Sequence, residues 1–375
     1  MGQARRFGSL LLWSLLAPGV VLTASEPASN PNVPSNSPIP LPVGIADPAG
    51  QIGYFAGADA GIEAIDLATG KVLWHTHEAQ RPLLLDGGHL LAQAGVKRNR
   101  LRILRLDRAS GECDLESDAV VFPAWVVTGE AHGRSFASHW RLGDRQLLLD
   151  WEAGAWYAGK SKPTPQEEEA ARKHAAGVVA IDLRTGQIDV RPAEKTAAPP
   201  TPPALPEHLE KQSLRWQGRV GRHWKVLALE TKNGQQRFVL HSWDQHSDRS
   251  LSAKELLHGK QLQVRVTLDE RVLCLRESSP SSDERHSLLP SKASNGWLLF
   301  SVETGERIGR VPNEAGMHAL AVVRERVFYL VPGTMRGALD EPNIQPLTLK
   351  AVDLSSGKKL WERPVAGKLL PPPPL

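Results

Sequence analysis

Ala64-Ile65-Asp66-Leu67-Ala68-Thr69-Gly70-Lys71-Val72-Leu73-Trp74 is the stretch on which the reading of this chain turns. It returns as Ala180-Ile181-Asp182-Leu183-Arg184-Thr185-Gly186 and as Ala351-Val352-Asp353-Leu354-Ser355-Ser356-Gly357-Lys358-Lys359-Leu360-Trp361. Weaker copies are Leu106-Asp107-Arg108-Ala109-Ser110-Gly111, Trp243-Asp244-Gln245-His246-Ser247-Asp248 and Ser301-Val302-Glu303-Thr304-Gly305, which makes six. Each copy has the same physical logic. An apolar strand runs into an Asp or Ser whose oxygen can accept from backbone two residues on, and a Gly then takes the positive φ of a tight turn. At the fourth copy Asp248 stands where Gly is expected, a residue that visits the left-handed region more readily than most.

Working outward, a second strand-like run precedes each turn: Ile52 to Ala56, His89 to Gln93, Gln146 to Trp151, Lys225 to Leu229, Val272 to Leu275 and Val327 to Val331. Before several of these comes a third, such as Leu83 to Leu85, Leu262 to Leu268 and His318 to Val323. Each repeat thus offers strands A, B and C before the Gly turn and D after it. Four antiparallel strands repeated around an axis hide their edges as the blades of a β-propeller, here expected over residues 41–366 with six blades, seven or eight being the alternatives. A two-sheet sandwich or a set of small domains leaves the fixed turn signature without a cause.

The pattern Ala-x-Asp-x-x-Thr-Gly-x-x-x-Trp resembles the repeat of pyrroloquinoline-quinone (PQQ) dependent dehydrogenases and of PQQ-binding-like propellers such as the outer-membrane assembly lipoprotein. The resemblance implies that the Trp four positions past the Gly docks between neighbouring blades. Only Trp74 and Trp361 satisfy this, and Leu115, Val190, Ser252 and Gly309 occupy the matching positions elsewhere, which implies differently filled blade interfaces. The resemblance implies, in many members, an adjacent Cys pair under the cofactor, whereas Cys113 and Cys274 are single and no Cys-x-x-Cys-His is present. No cofactor is therefore expected, with PQQ as the alternative.

Arg5 and Arg6 precede an apolar run, Leu10 to Leu16 and Val20 to Leu22, that ends in small residues, so residues 1–24 read as a secretory signal peptide. No later segment has the ~18 apolar residues a membrane span requires. The protein is expected in the periplasm or outside the cell, with residues 25–40 as a flexible linker and 367–375 as a Pro-rich tail. The chain carries +4 over 375 residues, and loss of the signal leaves about +2 with no basic stripe interleaved with aromatics, which excludes a nucleic-acid partner. Eleven Trp against three Tyr point to a structural use of Trp. Cys113 falls in the second repeat and Cys274 in the fifth, opposite each other in a six-membered ring, so both are expected as unpaired thiols.

No motif carries catalysis. His75-Thr76-His77 places two imidazoles on one side of a strand, as an exposed outer strand does by alternation, and no third ligand is identifiable. Glu167-Glu168-Glu169 before Arg172 and Lys173 reads as a solvated helix, and Ser356 to Lys359 sits in a repeat turn that explains its residues. The turn positions Asp66, Gly70, Asp107, Gly111, Asp182, Gly186, Asp244, Asp248, Gly305, Asp353 and Gly357 are structural. The long segments Gly159 to Gly177, Glu277 to Asn295 and Pro332 to Pro346 read as B–C loops and Lys195 to Pro206 as a D–A crossing, all on one rim. A protein or cell-envelope partner is expected there, with Trp156, Tyr157 and Trp297 as apolar anchors. The function expected is an interaction or scaffold module; the alternative is an enzyme, PQQ-dependent or other, with a site in the propeller.

Overall fold

The structure, a computed structural model, describes residues 37–97, 99–126, 134–155, 174–192, 209, 212–220, 223–244, 250–277, 296–332 and 347–366. The run Val327-Phe328-Tyr329-Leu330 shows how its strands are used. Val327 and Tyr329 are buried among Val272, Cys274 and Trp297 of the preceding sheet. Phe328 and Leu330 are buried among Phe55, Ile65 and Leu67 of the first sheet. A sheet covered on both faces buries both sets of side chains, so its strands read as apolar runs and not as strict alternation.

Six antiparallel sheets follow one another along the described chain. The first contains β1 (Ile39–Leu41), β2 (Gly44–Ala46), β3 (Ile52–Ala56), β4 (Ile62–Asp66) and β5 (Val72–Thr76). The second holds β6 (Ala79–Asp86), β7 (His89–Lys97), β8 (Arg100–Asp107), β9 (Cys113–Glu116) and β10 (Val120–Val121), the last two both pairing with β8. The third is β11 (Arg134–Leu142), β12 (Gln146–Ala155), β13 (His174–Asp182) and β14 (Ile188–Pro192). The fourth is β15 (Ser213–Val220), β16 (His223–Lys232), β17 (Gln235–Asp244) and β18 (Ser250–Gly259). The fifth is β19 (Leu262–Val266), β20 (Val272–Glu277), β21 (Trp297–Ser301) and β22 (Arg307–Val311). The sixth is β23 (His318–Val323), β24 (Arg326–Pro332), β25 (Leu347–Asp353) and β26 (Lys359–Val365).

In each sheet the order is A, B, C, D, with β2, β6, β11, β15, β19 and β23 as the A strands. A strands of neighbouring sheets touch, β2 with β6 and β6 with β11, while β1 lies against β23. Apolar layers fill the spaces between sheets one and two, two and three, four and five, five and six and six and one. The fold is a six-bladed β-propeller. It closes without a shared strand: Gly57 bridges Val365, the Ala366 amide donates to the Ala56 carbonyl at 3.1 Å, and Nε1 of Trp361 donates to the Leu67 carbonyl at 3.1 Å.

One rim is sealed by its turns. Oδ1 of Asp66 accepts from the amides of Ala68 and Thr69 at 3.0 and 2.8 Å, and Gly70, at φ 72°, donates back to the Asp66 carbonyl. Asp107, Asp182 and Asp353 organise the same turn, and Ser301 a weaker one with Gly305. The next residue of each turn donates its amide to the A–B turn of its own blade: Leu67 to Gln51, Arg108 to Gly88, Leu183 to Arg145, Val302 to Arg271 and Leu354 to Glu325. Asp244 ends β17, and Asp248 lies outside the described residues.

Two boundaries differ from expectation. The stretch read as linker already contains most of β1, because Ile39 to Leu41 pairs with Gly44 to Ala46 and Leu41 is fully buried. The long loops are shorter than their sequence suggested, since His174 to Gly177 belongs to β13, Glu277 to β20 and Pro332 to β24. The signal segment and the Pro-rich tail lie outside the described residues.

Candidate functional site

With A–B and C–D turns bonded together on one rim, antiparallel pairing puts the B–C connections on the other. Blade four makes this connection in two residues, Asn233 and Gly234, both at positive φ (52° and 75°), as a two-residue type I′ hairpin requires. Blades three, five and six instead connect through 156–173, 278–295 and 333–346, which lie outside the described residues together with Trp156, Tyr157 and the Lys195 to Pro206 crossing.

At this rim the D strand of blade four and the face of blade five enclose a groove of about 220 Å³. Leu257 and Leu298 supply apolar surface, and Arg276, Glu277, Arg307 and Arg310 supply charge. Glu277 accepts from the Lys260 amide at 2.9 Å, Arg276 donates through Nε to Gln263 at 2.7 Å, and Arg310 donates through Nε to the Ser356 carbonyl at 3.1 Å. Such a lining can receive an apolar side chain together with a carboxylate; it presents no nucleophile paired with a base.

Trp297 is corrected from an exposed anchor to a core residue. It is 2% exposed, in the layer between blades five and six. The guanidinium carbons of Arg265 and Arg276 lie 4.9 and 4.7 Å from its ring centroid. Arg265 also donates to the Met317 carbonyl. In blade five the first residue of the C strand is packed into the layer against blade six, so proximity to a loop does not expose it.

The blade junctions show what sequence reasoning missed. Trp74 and Trp361 each reach the turn of the next blade, Trp74 donating to the Arg108 carbonyl at 2.9 Å and Trp361 to that of Leu67. Between blades two and three the equivalent carbonyl, Leu183, is met by Nη1 of Arg105 at 2.6 Å. Between five and six the Leu354 carbonyl is met by the backbone amide of Arg310 at 2.9 Å. Gly309 makes that approach feasible, as a Cβ there would lie 2.2 Å from the same oxygen. Between four and five Lys225 and Lys254 donate to the carbonyls of Glu303 and Thr304. The absent Trp was the only signal available in the sequence.

His75 and His77 pack edge to face, ring centroids 4.2 Å apart, and among the described residues no three His, Cys, Asp or Glu side chains form a metal-ligating group. Cys113 is exposed on β9 and Cys274 buried on β20, neither in a disulfide. Burial pushes the Cys274 thiol up to about 12. No helix among the described residues is long and apolar enough to cross a membrane.

No family model matches the chain, and no curated protein matches it. Among solved structures it is similar to the Dos1 propeller, at 9% identity over 86% of this chain and 68% of that one, with a TM-score of 0.24. It is also similar to a prolyl endopeptidase, at 11% identity over 87% of this chain and a TM-score of 0.35, and it spans about half (49%) of that protein. An uncharacterized Listeria monocytogenes protein matches at 11% identity over 90% of this chain and 85% of its own, with a TM-score of 0.24. At such identities the likeness concerns fold alone, and the propeller rests on the six sheets themselves.

Proposed function

We propose that the protein is a non-catalytic interaction module, exported to the periplasm or beyond the cell, that binds a protein or envelope partner through its loop-rich rim. Its repeat is a degenerate member of the PQQ-like class, a reading supported by the docking of Trp74 and Trp361 on the next blade's turn. The observation that carries the functional reading is the asymmetry of the two rims. One is closed by short, mutually bonded turns; the other bears three long connections and a groove with both apolar and charged lining. Long connections within a compact domain are most often functional or disordered, and binding residues concentrate on loops held by a rigid scaffold.

The test replaces residues 156–173, 278–295 and 333–346 by short turns of the Asn233-Gly234 kind. Unchanged thermal unfolding with loss of partner capture supports the assignment, and a shortened protein that captures the same partner refutes it. A quinone and metal assay on the same sample addresses the enzyme reading directly, because stoichiometric cofactor there would replace the interaction reading.

A further inference from the structure

The groove between blades four and five carries opposite charges at its two ends, and the pairing of β21 with β22 sets this up. Phe300 faces Arg307, Leu299 faces Gly309 and Leu298 faces Arg310, so β22 accommodates one extra residue, Ile308, as a bulge. Cross-strand partners share a face of the sheet, which puts Arg307 and Arg310, although three apart in sequence, on the side of Phe300 and Leu298. That side packs toward Leu227, Phe238 and Leu240 of blade four.

Two of the three arginines lining the groove are committed elsewhere. Arg276 lies over the Trp297 ring, which belongs to the layer toward blade six, and Arg310 donates to the Ser356 carbonyl of blade six at 3.1 Å. Arg307 is exposed, and among the described residues nothing holds its guanidinium. Glu277, also exposed, gives one oxygen to the Lys260 amide and is the only acid of the lining. Leu257 of β18 and Leu298 supply the apolar surface of the same groove. Glu277 stands two residues past Leu275, the partner of Leu298, and so is level with Gly296, whereas Arg307 is level with Phe300. From the level of Gly296 to that of Phe300 is about 13 Å, at ~3.3 Å per strand residue.

We propose that this groove binds an extended segment of a partner protein whose side chains at positions i, i+2 and i+4 are basic, apolar and acidic, in either chain direction. The basic side chain meets Glu277, the apolar one lies on Leu257 and Leu298, and the acidic one meets the fork of Arg307. This deepens the interaction reading and rests on it. In an extended chain alternate side chains share a face, and those at i and i+4 are about 13 Å apart, which matches the separation of the two charged levels. A free amino acid is too short to reach both charges, and a polyanion meets the repulsion of Glu277 at one end.

The experiment measures fluorescence anisotropy of labelled, end-capped peptides: Lys-Thr-Leu-Thr-Glu, its reverse Glu-Thr-Leu-Thr-Lys, and a control of the same composition with adjacent charges, Lys-Glu-Leu-Thr-Thr. At least one spaced peptide is expected to bind about fivefold or more tighter than the control, and more weakly at higher salt. Arg307→Glu should weaken it by about fivefold or more, and Lys-Thr-Leu-Thr-Lys should recover binding to that variant. Glu277→Gln, which keeps an acceptor for the Lys260 amide while removing the charge, should also weaken the spaced peptide. Arg307 is exposed, so an unchanged thermal midpoint is expected for its variant, and Lys71→Glu, exposed in blade one, should alter affinity by less than about twofold. The proposal is overturned by spaced peptides that bind no better than the control, by an Arg307→Glu variant of parental affinity, by failure of the charge-reversed peptide to recover, or by free leucine displacing the peptide at a similar concentration. Partner capture that needs the long connections, without binding of any spaced peptide, overturns this inference alone, whereas capture that ignores those connections overturns the reading beneath it.

Discussion

Trp74 and Gly111 are interlocked across the first blade junction: a Cβ at Gly111 would lie 2.5 Å from Cε3 and 2.7 Å from Cδ2 of the Trp74 ring. The indole can donate to the Arg108 carbonyl only because the turn it covers ends in a residue without a side chain. Gly111→Ala should therefore cost about 1–3 kcal/mol, combining overpacking with the strain of φ 77°. Gly87→Ala provides the control, since Gly87 has φ 54° but nothing within 4 Å, and it should cost no more than about 1 kcal/mol. Equal urea midpoints for the two variants would remove the packing contribution.

Trp361 makes the same contact across the closing seam, with Gly70 beneath it. Trp361→Ala should lose about 3–5 kcal/mol, as buried Trp truncations do. Trp361→Phe retains ring packing while losing the bond to Leu67 and should be the milder of the two. A thermal midpoint unchanged in the Ala variant would show that the seam does not depend on this residue.

Gly309 occupies the position of Trp74 and Trp361 in its own repeat, yet installing the repeat residue should harm the protein. Its place is filled by backbone, with the Arg310 amide on the Leu354 carbonyl. Gly309→Trp should destabilise by more than about 3 kcal/mol, and even Gly309→Ala by more than about 1 kcal/mol. Denaturant titration of both decides it; a stabilised Trp variant is the contrary result.

The two thiols should differ in access. Cys113 is exposed and should react with a thiol reagent in the native protein. Cys274, fully buried and with its thiol raised to about 12, should react only on unfolding. Non-reducing peptide mapping should recover both as free thiols, and a Cys113–Cys274 disulfide would contradict their placement in blades two and five.

Acid should loosen the turn rim. Hydroxyl bonds from Ser356 and then Ser355, together with the Ser356 amide, hold the Asp353 carboxyl down at about 2. Asp66 is lowered by Thr69, Asp107 by the Ser110 amide and hydroxyl, and Asp182 by the amides of Arg184 and Thr185. Because the folded values lie below the ordinary 3.8, this contribution is complete above pH 3.8 and is lost as pH falls toward about 2. Thermal midpoints should decline across that window, and Asp353→Asn should shallow the decline. A variant with the same acid slope as the parent would exclude Asp353 as a contributor.

The B strands and the Asp-to-Gly turns could be read from sequence because their signals are local: a buried run such as Val327 to Val331, and an Asp followed four residues later by a Gly at positive φ. Trp297 could not, because its burial depends on Arg265 and Arg276 arriving from other strands. The junctions at Arg105 and Gly309 were equally illegible, since each answers a carbonyl of a later repeat and the substitution of Trp by Leu or Gly does not say what takes its place. The groove joins residues of β18 to those of β20, β21 and β22, a neighbour relation that the strand pattern alone does not specify.

Because every blade is built from consecutive strands, the ring of described residues closes without a covalent link at the seam where β1 meets β23 and Ala366 meets Ala56. Both ends of the described chain thus arrive at one junction, and the order in which the blades are synthesised is a choice of where the circle is cut. A circular permutant that tethers residue 366 to residue 37 and opens between Asn233 and Gly234 would move the cut to the tight hairpin of blade four while leaving each junction contact in place.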